Sequence, residues 1–367
     1  VKVSDVVSAM ENMAPSKYAM DWDNTGLLVG DGEAAVNRVL FCIDMTQKVL
    51  DEAIREKAQM VIAYHPVIFK GVKSVTAQSS PVLWAAMRSG MSVYCPHTAL
   101  DVAKGGVNDS LADAVGMDLS EAEPLEFHEF GEKMKLIVFV PASERDKVCR
   151  AAFAAGAGII GEYEQCSFAV AGEGSFLPGE NANPTVGSCC RHETVPELRV
   201  EMIVPREKLD CVCRAIRSAH SYEEPAIDIY KLADEPGEFG MGRIGGLRKS
   251  TTLAAFVRRV KKRLGVKRVL LASGGDLNRM VTTVAVGAGS CGDMWKKAAG
   301  RADIFVTGEM RHHDALAAVE AGLCVICVGH GNSERHVLGL LAERLASKVH
   351  GIKMIISQAD RDPLEIV

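Results

Sequence analysis

The chain has 367 residues, room for about two domains, and 48% hydrophobic against 24% charged residues excludes a disordered or fibrous chain. A net charge of −5 provides no global basic field, which argues against nucleic acid as a partner. No apolar run is long enough to span a bilayer, and eleven scattered cysteines read as reduced core thiols of a cytoplasmic protein.

VKVSDVVSAMENM opens an amphipathic helix, with Ser4 as its expected cap, and does not read as a signal peptide. Asp23 and Asn24 in DWDNTG lie on a loop before a strand, where they either line a pocket or serve as turn residues. Strand and helix then alternate: RVLFCID, TQKVLDEAIREK, MVIAYH, PVLWAAMRSG, MSVYCPH and GVNDSLADAVG. The strands are apolar throughout, as in a parallel sheet covered on both faces.

The rhythm changes from Phe127 to Ala233. KLIVFVP, SERDKVCRAAFAAG and a strand around EYEQCSFAV precede a Gly/Asn/Pro-rich loop, GEGSFLPGENANPTVGSC; LRVEMIVP, EKLDCVCRAIRSAH and AIDIYKL follow. This order, βαβ then βαβ, predicts a ferredoxin-like module. The α/β rhythm resumes from TLAAFVRRVKKRLG to KMIISQ, with SERHVLGLLAERLAS expected as one helix. The predicted organisation is one discontinuous α/β domain, 1–126 and 234–367, interrupted by an insertion at 127–233. The basic run RRVKKRL reads as the solvated face of a helix.

In open α/β sheets functional groups collect at the C-terminal ends of parallel strands. Four such ends are polar here: Tyr64–His65, then His97 with Asp101, then Glu309 with His312 and His313, then His330 with Glu334 and His336. His330 and Glu334 stand i, i+4 across a strand-to-helix turn, so one helical turn directs both side chains to one point, with Asn332 or Ser333 as cap. Imidazoles and carboxylates recurring at strand ends predict a divalent-metal site. Cys324 and Cys327 have C-x-x-C spacing but lie on a strand, where they face opposite ways and cannot share a metal. The glycines of GAGSCG (Gly287 to Gly292) are read as turn geometry in preference to an anion cradle.

DWDNTGLLVG, AYHPVIFKG, HTALDVAKGGVNDSLA, VTGEMRHHDALAA and GHGNSERHVL closely resemble, in order and end to end, the Nif-three-like (NGG-interacting-factor-three) family of dinuclear-metal proteins, whose members often carry the label GTP cyclohydrolase I type 2 homologue. The resemblance implies a three-layer α/β/α domain. GEYEQCSFAVAGEGSFLP, RVEMIVP and AHSYEEPAIDIYKL resemble the PII/CutA-like insertion of its longer bacterial members. It further implies His65, Asp101, His330 and Glu334 as metal ligands, with Glu334 bridging. Tyr64 departs from the pattern, since many members have a first histidine there, and a neutral phenol is a much poorer ligand than imidazole. One ion is therefore expected firmly at His65, Asp101 and Glu334, and a second, weaker one at His330 and Glu334. Zinc, iron and manganese are the candidates.

The function expected on these grounds is metal-dependent hydrolysis of a nucleotide-like small molecule, with Tyr64, Asp23 and Asn24 in the pocket and His313 or His97 moving protons. The alternative is a non-catalytic metal-binding regulator or scaffold with a PII-like sensing module. The resemblance also implies self-association into a hexameric ring of trimers.

Overall fold

The computed structural model describes residues 1–127, 133–161, 163–232 and 239–364. The chain divides into two compact units, Val1–His128 with Gly237–Val367, and Glu129–Pro236. The seam expected at 233–234 lies outside the described residues.

In chain order, the first stretch contains α1 (Val3–Met13), β1 (Gly26–Val29), β2 (Arg38–Cys42), α2 (Gln47–Arg55), β3 (Met60–Ala63), α3 (Pro81–Arg88), β4 (Ser92–Cys95), α4 (His97–Val102), α5 (Val107–Val115) and β5 (Glu126–Phe127). The second unit contains β6 (Lys133–Val140), α6 (Arg145–Ala154), β7 (Phe168–Phe176), β8 (Glu193–Pro205), α7 (Leu209–Ala219) and β9 (Ile227–Lys231). The last stretch contains β10 (Gly240–Met241), β11 (Arg243–Thr252), α8 (Leu253–Leu264), β12 (Leu270–Ala272), β13 (Met280–Ser290), α9 (Trp295–Ala298), β14 (Ile304–Glu309), α10 (His312–Glu320), β15 (Cys324–Cys327), α11 (His330–Glu334), α12 (Val337–Lys348) and β16 (Lys353–Ile356).

The first unit has two five-stranded sheets. One has the order β1-β4-β3-β2-β16, parallel except for β1. The other has the order β11-β13-β14-β15-β12, with a parallel centre and antiparallel strands at both edges. Side chains alternate across each strand, so each sheet is buried on two faces. Phe41 and Ile62 of the first sheet share one core with Val284 and Val306 of the second and with helices α1, α5, α8 and α12. On the far face of the first sheet, Leu40 and Val61 pack on Val49, Leu50 and Ala53 of α2. On the far face of the second, Ala285 and Phe305 pack on Trp295 and Ala318. Each sheet is thus the middle of an α/β/α sandwich, and the two sandwiches share their inner helices.

The second unit has its own core, in which Leu136, Val200 and Met202 pack on Val148 of α6 and on Val212 and Ile216 of α7. Its sheet order, β7-β8-β6-β9, is antiparallel throughout. Read from the other edge it is fourth, first, third, second, which is the ferredoxin-like arrangement expected from the sequence.

Several local expectations need correction. Ser4 does not cap α1: the helix begins at Val3, and Asp5 instead accepts from the Lys2 backbone N–H at 2.8 Å. The strand placed around EYEQCSFAV starts only at Phe168 and continues through GEGSF, because those residues pair with Glu193–Glu201 of β8. SERHVLGLLAERLAS is two helices, α11 and α12, separated at Arg335–His336; there Arg335 turns its guanidinium onto Asp360 at 2.5 Å. The cysteines are not all core thiols, since Cys189, Cys190 and Cys211 are exposed. Cys324 and Cys327 do face opposite cores.

Candidate metal centre

The parallel strands of both sheets point their C-terminal ends at one place. In the first sheet Cys42 stands beside Ala63, and two residues further on each chain are Asp44 and His65. That register brings Asp44 Oδ1 within 2.9 Å of His65 Nδ1. In the second sheet Thr307 stands beside Cys327, and just beyond them Glu309 Oε1 lies 2.7 Å from His330 Nδ1. Each imidazole therefore has one nitrogen held by a carboxylate, which orients the ring and directs Nε2 inward.

Glu334 receives both rings. Its side chain is buried one helical turn after His330, with Oε1 3.3 Å from His330 Nε2 and Oε2 3.6 Å from His65 Nε2. The second distance is too long for a hydrogen bond, and Oε2 is buried with no hydrogen-bond partner among the described residues. The donor atoms of His65, His330 and Glu334 all lie within 4.8 Å of one another.

Glycine makes the room. Gly289, at φ +68°, lies against the carboxylate one residue before the end of β13; a Cβ there would sit 2.5 Å from Glu334 Oε1 and 3.4 Å from His330 Nε2. Its N–H donates to Ser333 Oγ at 2.8 Å, and that hydroxyl donates to the His330 carbonyl at 2.6 Å. Ser333 thus ties α11 to β13 instead of capping it, and Asn332 donates to the Val328 carbonyl. Gly329 occupies the cap position without a side-chain bond.

Asp101 stands beside this group and outside the three-residue cluster. It is buried, and its Oδ1 accepts a 2.5 Å hydrogen bond from the Tyr64 hydroxyl. Burial, with the nearby Glu334 charge, raises Asp101 to about 7 despite the Tyr64 bond. Burial and the Asp101 carboxylate hold the Tyr64 phenol well above its usual range, so it stays neutral. Burial opposes charge on His65, but Asp44 and Glu334 outweigh it and lift the ring to about 10. Glu334 itself lifts His330 to about 9. Burial pushes the Glu334 carboxyl up, yet His330 and His65 bring it below its usual range.

His97 belongs to the same constellation, its ring 5.4 Å from that of His65 and 5.6 Å from that of Tyr64. Its Nδ1 lies 2.7 Å from Asp23 Oδ1, and Asp23 Oδ2 accepts from the Thr98 hydroxyl and N–H. Asn24 donates to the Ile68 carbonyl. His313 stands apart from these contacts: it is exposed in the first turn of α10 with its ring 5.4 Å from exposed His312. Asp44 escaped the sequence reading. Its signal was available, an acidic residue two positions beyond a buried strand, in register with His65.

The residues fit a divalent cation. Two imidazole nitrogens and a carboxylate converge, the imidazoles have carboxylates behind them, and a buried carboxylate oxygen lacks a hydrogen-bond partner among the described residues.

The family model for Duf34/NIF3 (NGG1p interacting factor 3) matches residues 1–363. A Halalkalibacterium halodurans protein named GTP cyclohydrolase 1 type 2 homolog is 36% identical over 369 residues, covering 99% of this chain and 98% of its own. A Bacillus subtilis protein of the same name is 36% identical over 371 residues, with 99% and 98% covered. Among solved structures, a Bacillus cereus protein related to NIF3 aligns with TM-score 0.66 at 35% identity, covering 100% of this chain and 99% of its own. A Staphylococcus aureus protein aligns with TM-score 0.78 at 26% identity and the same coverage. With residues 1–363 matched by the family model and a relative 36% identical over 99% of its length, the chain belongs to the Duf34/NIF3 family.

Proposed function

We propose that the chain is a divalent-metal-dependent hydrolase acting on a nucleotide-like small molecule. The observation that carries this reading is the buried, unpartnered Oε2 of Glu334 facing two carboxylate-held imidazoles. His65, His330 and Glu334 hold the ion, and Asp101 extends the donor set on the Tyr64 side. A divalent cation there supplies Lewis acidity, which polarises an electrophilic centre and makes water a better nucleophile. Nucleotide chemistry is suggested by the relatives named GTP cyclohydrolase 1 type 2 homolog.

The chain's own residues do the rest. Asp44 and Glu309 fix the tautomers of the two ligand histidines. His97, one ring contact from His65 and held by Asp23, carries protons between the attacking water and the leaving atom. Of the two histidines expected to move protons, His97 is preferred here because its ring contacts His65, whereas His313 is exposed beside His312. Association into a closed ring of copies remains part of the proposal.

The test is turnover of a nucleotide panel that includes GTP, by metal-loaded wild type, Asp101→Asn and Glu334→Gln. Turnover that disappears with chelator and in Glu334→Gln supports the hydrolase. Equal turnover in all three proteins means contamination. Retained metal with no turnover anywhere favours the regulator, for which the ferredoxin-like second unit is the structural argument.

A further inference from the structure

Two large aromatic side chains stand in solvent at the edge of the metal centre. Trp22 is 60% exposed and Phe69 is 51% exposed. They come from different loops, yet their ring centroids are 5.9 Å apart and tilted by 46°. Both also contact His97, at 6.1 Å and 6.4 Å, and His97 is 5.4 Å from His65. A path of rings therefore leads from open solvent to the ligand group.

The loops that carry these rings are fastened. Beside Trp22, Asp23 accepts from His97, from the Thr98 N–H and from the Thr98 hydroxyl. Met20 donates its N–H to Thr98 Oγ1 at 3.0 Å. Asn24 reaches across to the Ile68 carbonyl, next to Phe69, at 2.5 Å. His97 is held at φ +24°, a backbone angle that L-residues rarely adopt. Five side-chain hydrogen bonds thus fix an apolar surface made of two exposed rings beside His97. A fixed pair of exposed aromatic rings beside a polar centre suits a flat apolar group that stacks on them.

We propose that Trp22 and Phe69 form a stacking platform for a planar heteroaromatic ring, such as a purine base, of the ligand whose other end enters the metal centre. The proposal rests on the reading above only for what happens at that other end. The platform accepts any base with a π-face, and two ring contacts through His97 separate it from His65, so the rest of the ligand would run past His97 to the metal centre. Asp23 and Asn24 are positioning residues in this scheme, setting the platform by their bonds to Thr98, His97 and Ile68.

The experiment is calorimetric titration of the metal-loaded protein with GMP, adenosine and ribose 5-phosphate. It compares wild type, Trp22→Phe, Trp22→Leu and Phe69→Leu, each checked for metal content and thermal unfolding. Both rings are exposed, so all four proteins are expected to fold and hold metal alike. GMP and adenosine should bind wild type, ribose 5-phosphate much more weakly. Trp22→Leu should weaken GMP binding roughly ten-fold or more, the usual loss when a base loses its stacking partner, whereas Trp22→Phe should retain most of it. Equal GMP affinity in wild type and Trp22→Leu overturns the platform, as does ribose 5-phosphate binding as tightly as GMP. Binding is read without turnover. Base-dependent affinity lost in Trp22→Leu, with no hydrolysis anywhere, keeps the platform and removes the hydrolase; hydrolysis with unchanged affinity in Trp22→Leu does the reverse.

Discussion

The Tyr64 hydroxyl donates a 2.5 Å hydrogen bond to Asp101 Oδ1, and both side chains are buried. One oxygen of a carboxylate at the centre is thereby turned toward a neutral phenol. Tyr64 stands where the family resemblance expects the first of two histidines, so a donor of protons replaces a donor of electron pairs at this position.

Tyr64→His should raise the number of divalent ions per chain, from near one toward two. The exchange supplies a second imidazole beside His65 and frees Asp101 Oδ1. Elemental analysis after loading and gel filtration measures it; an unchanged ratio would show that Tyr64 does not limit occupancy. Tyr64→Phe, by contrast, strips Asp101 of a donor and should cost about 1–3 kcal/mol in urea unfolding.

Gly289→Ala should disturb the centre from a position that carries no functional group. The added methyl meets Glu334 Oε1 at 2.5 Å, and the φ of +68° alone costs an L-residue about 1–2 kcal/mol. Metal affinity and stability should fall together. Gly274→Ala, which meets nothing within 4 Å, is the control and should leave both unchanged. Full metal retention in Gly289→Ala would mean that the carboxylate has room to move.

The pH dependence should reverse sign with metal. In the metal-free protein His65 and His330 are raised to about 10 and about 9 by their carboxylates. A raised histidine contributes stability that is complete below its unfolded value, 6.5, and is lost as pH climbs through the folded value. Asp101, raised to about 7, acts in the same direction at lower pH, between 3.8 and about 7. Glu334 and Asp44 are lowered, so their contribution is lost only on acidification below the usual carboxylate range. Chelator-treated protein should therefore melt at lower temperature as pH rises from 6.5 to 10. Loaded protein should not, because a cation requires deprotonated imidazoles. Parallel melting curves for the two forms would exclude His65 and His330 as ligands.

Replacing residues 128–239 with a short Gly/Ser linker should leave a folded, metal-binding protein. Phe127 pairs directly with Gly240 in the β5–β10 ribbon, so the chain leaves the first unit and returns to it at adjacent positions. The second unit also has a separate core. Circular dichroism and metal content of the shortened chain test this; insoluble product at several linker lengths would refute it.

Periodicity and strand-end polarity made much of this legible. His330 and Glu334 announced themselves by their spacing, and the apolar strand before His65 marked its position at a strand end. What stayed hidden depended on contacts between distant segments. Asp44 becomes a partner of His65 only once β2 and β3 align, and Gly289 matters only because Glu334 arrives from a helix 45 residues later. The break at Arg335–His336 was equally invisible, since no Gly or Pro stands there and both residues keep right-handed helical angles. Trp22 read as part of a turn motif, and its exposure cannot be inferred from the turn chemistry of its neighbours.

β16, at residues 353–356, lies against β2 and closes the first sheet, and Glu334 lies fewer than 20 residues before it. During synthesis His330 emerges 265 residues after His65, so His65 waits with Asp44 but without His330 and Glu334. Whatever ion the centre holds is therefore taken up only after the ligands of both sheets have been made, and a translation product that stops before residue 330 carries His65 without His330 or Glu334.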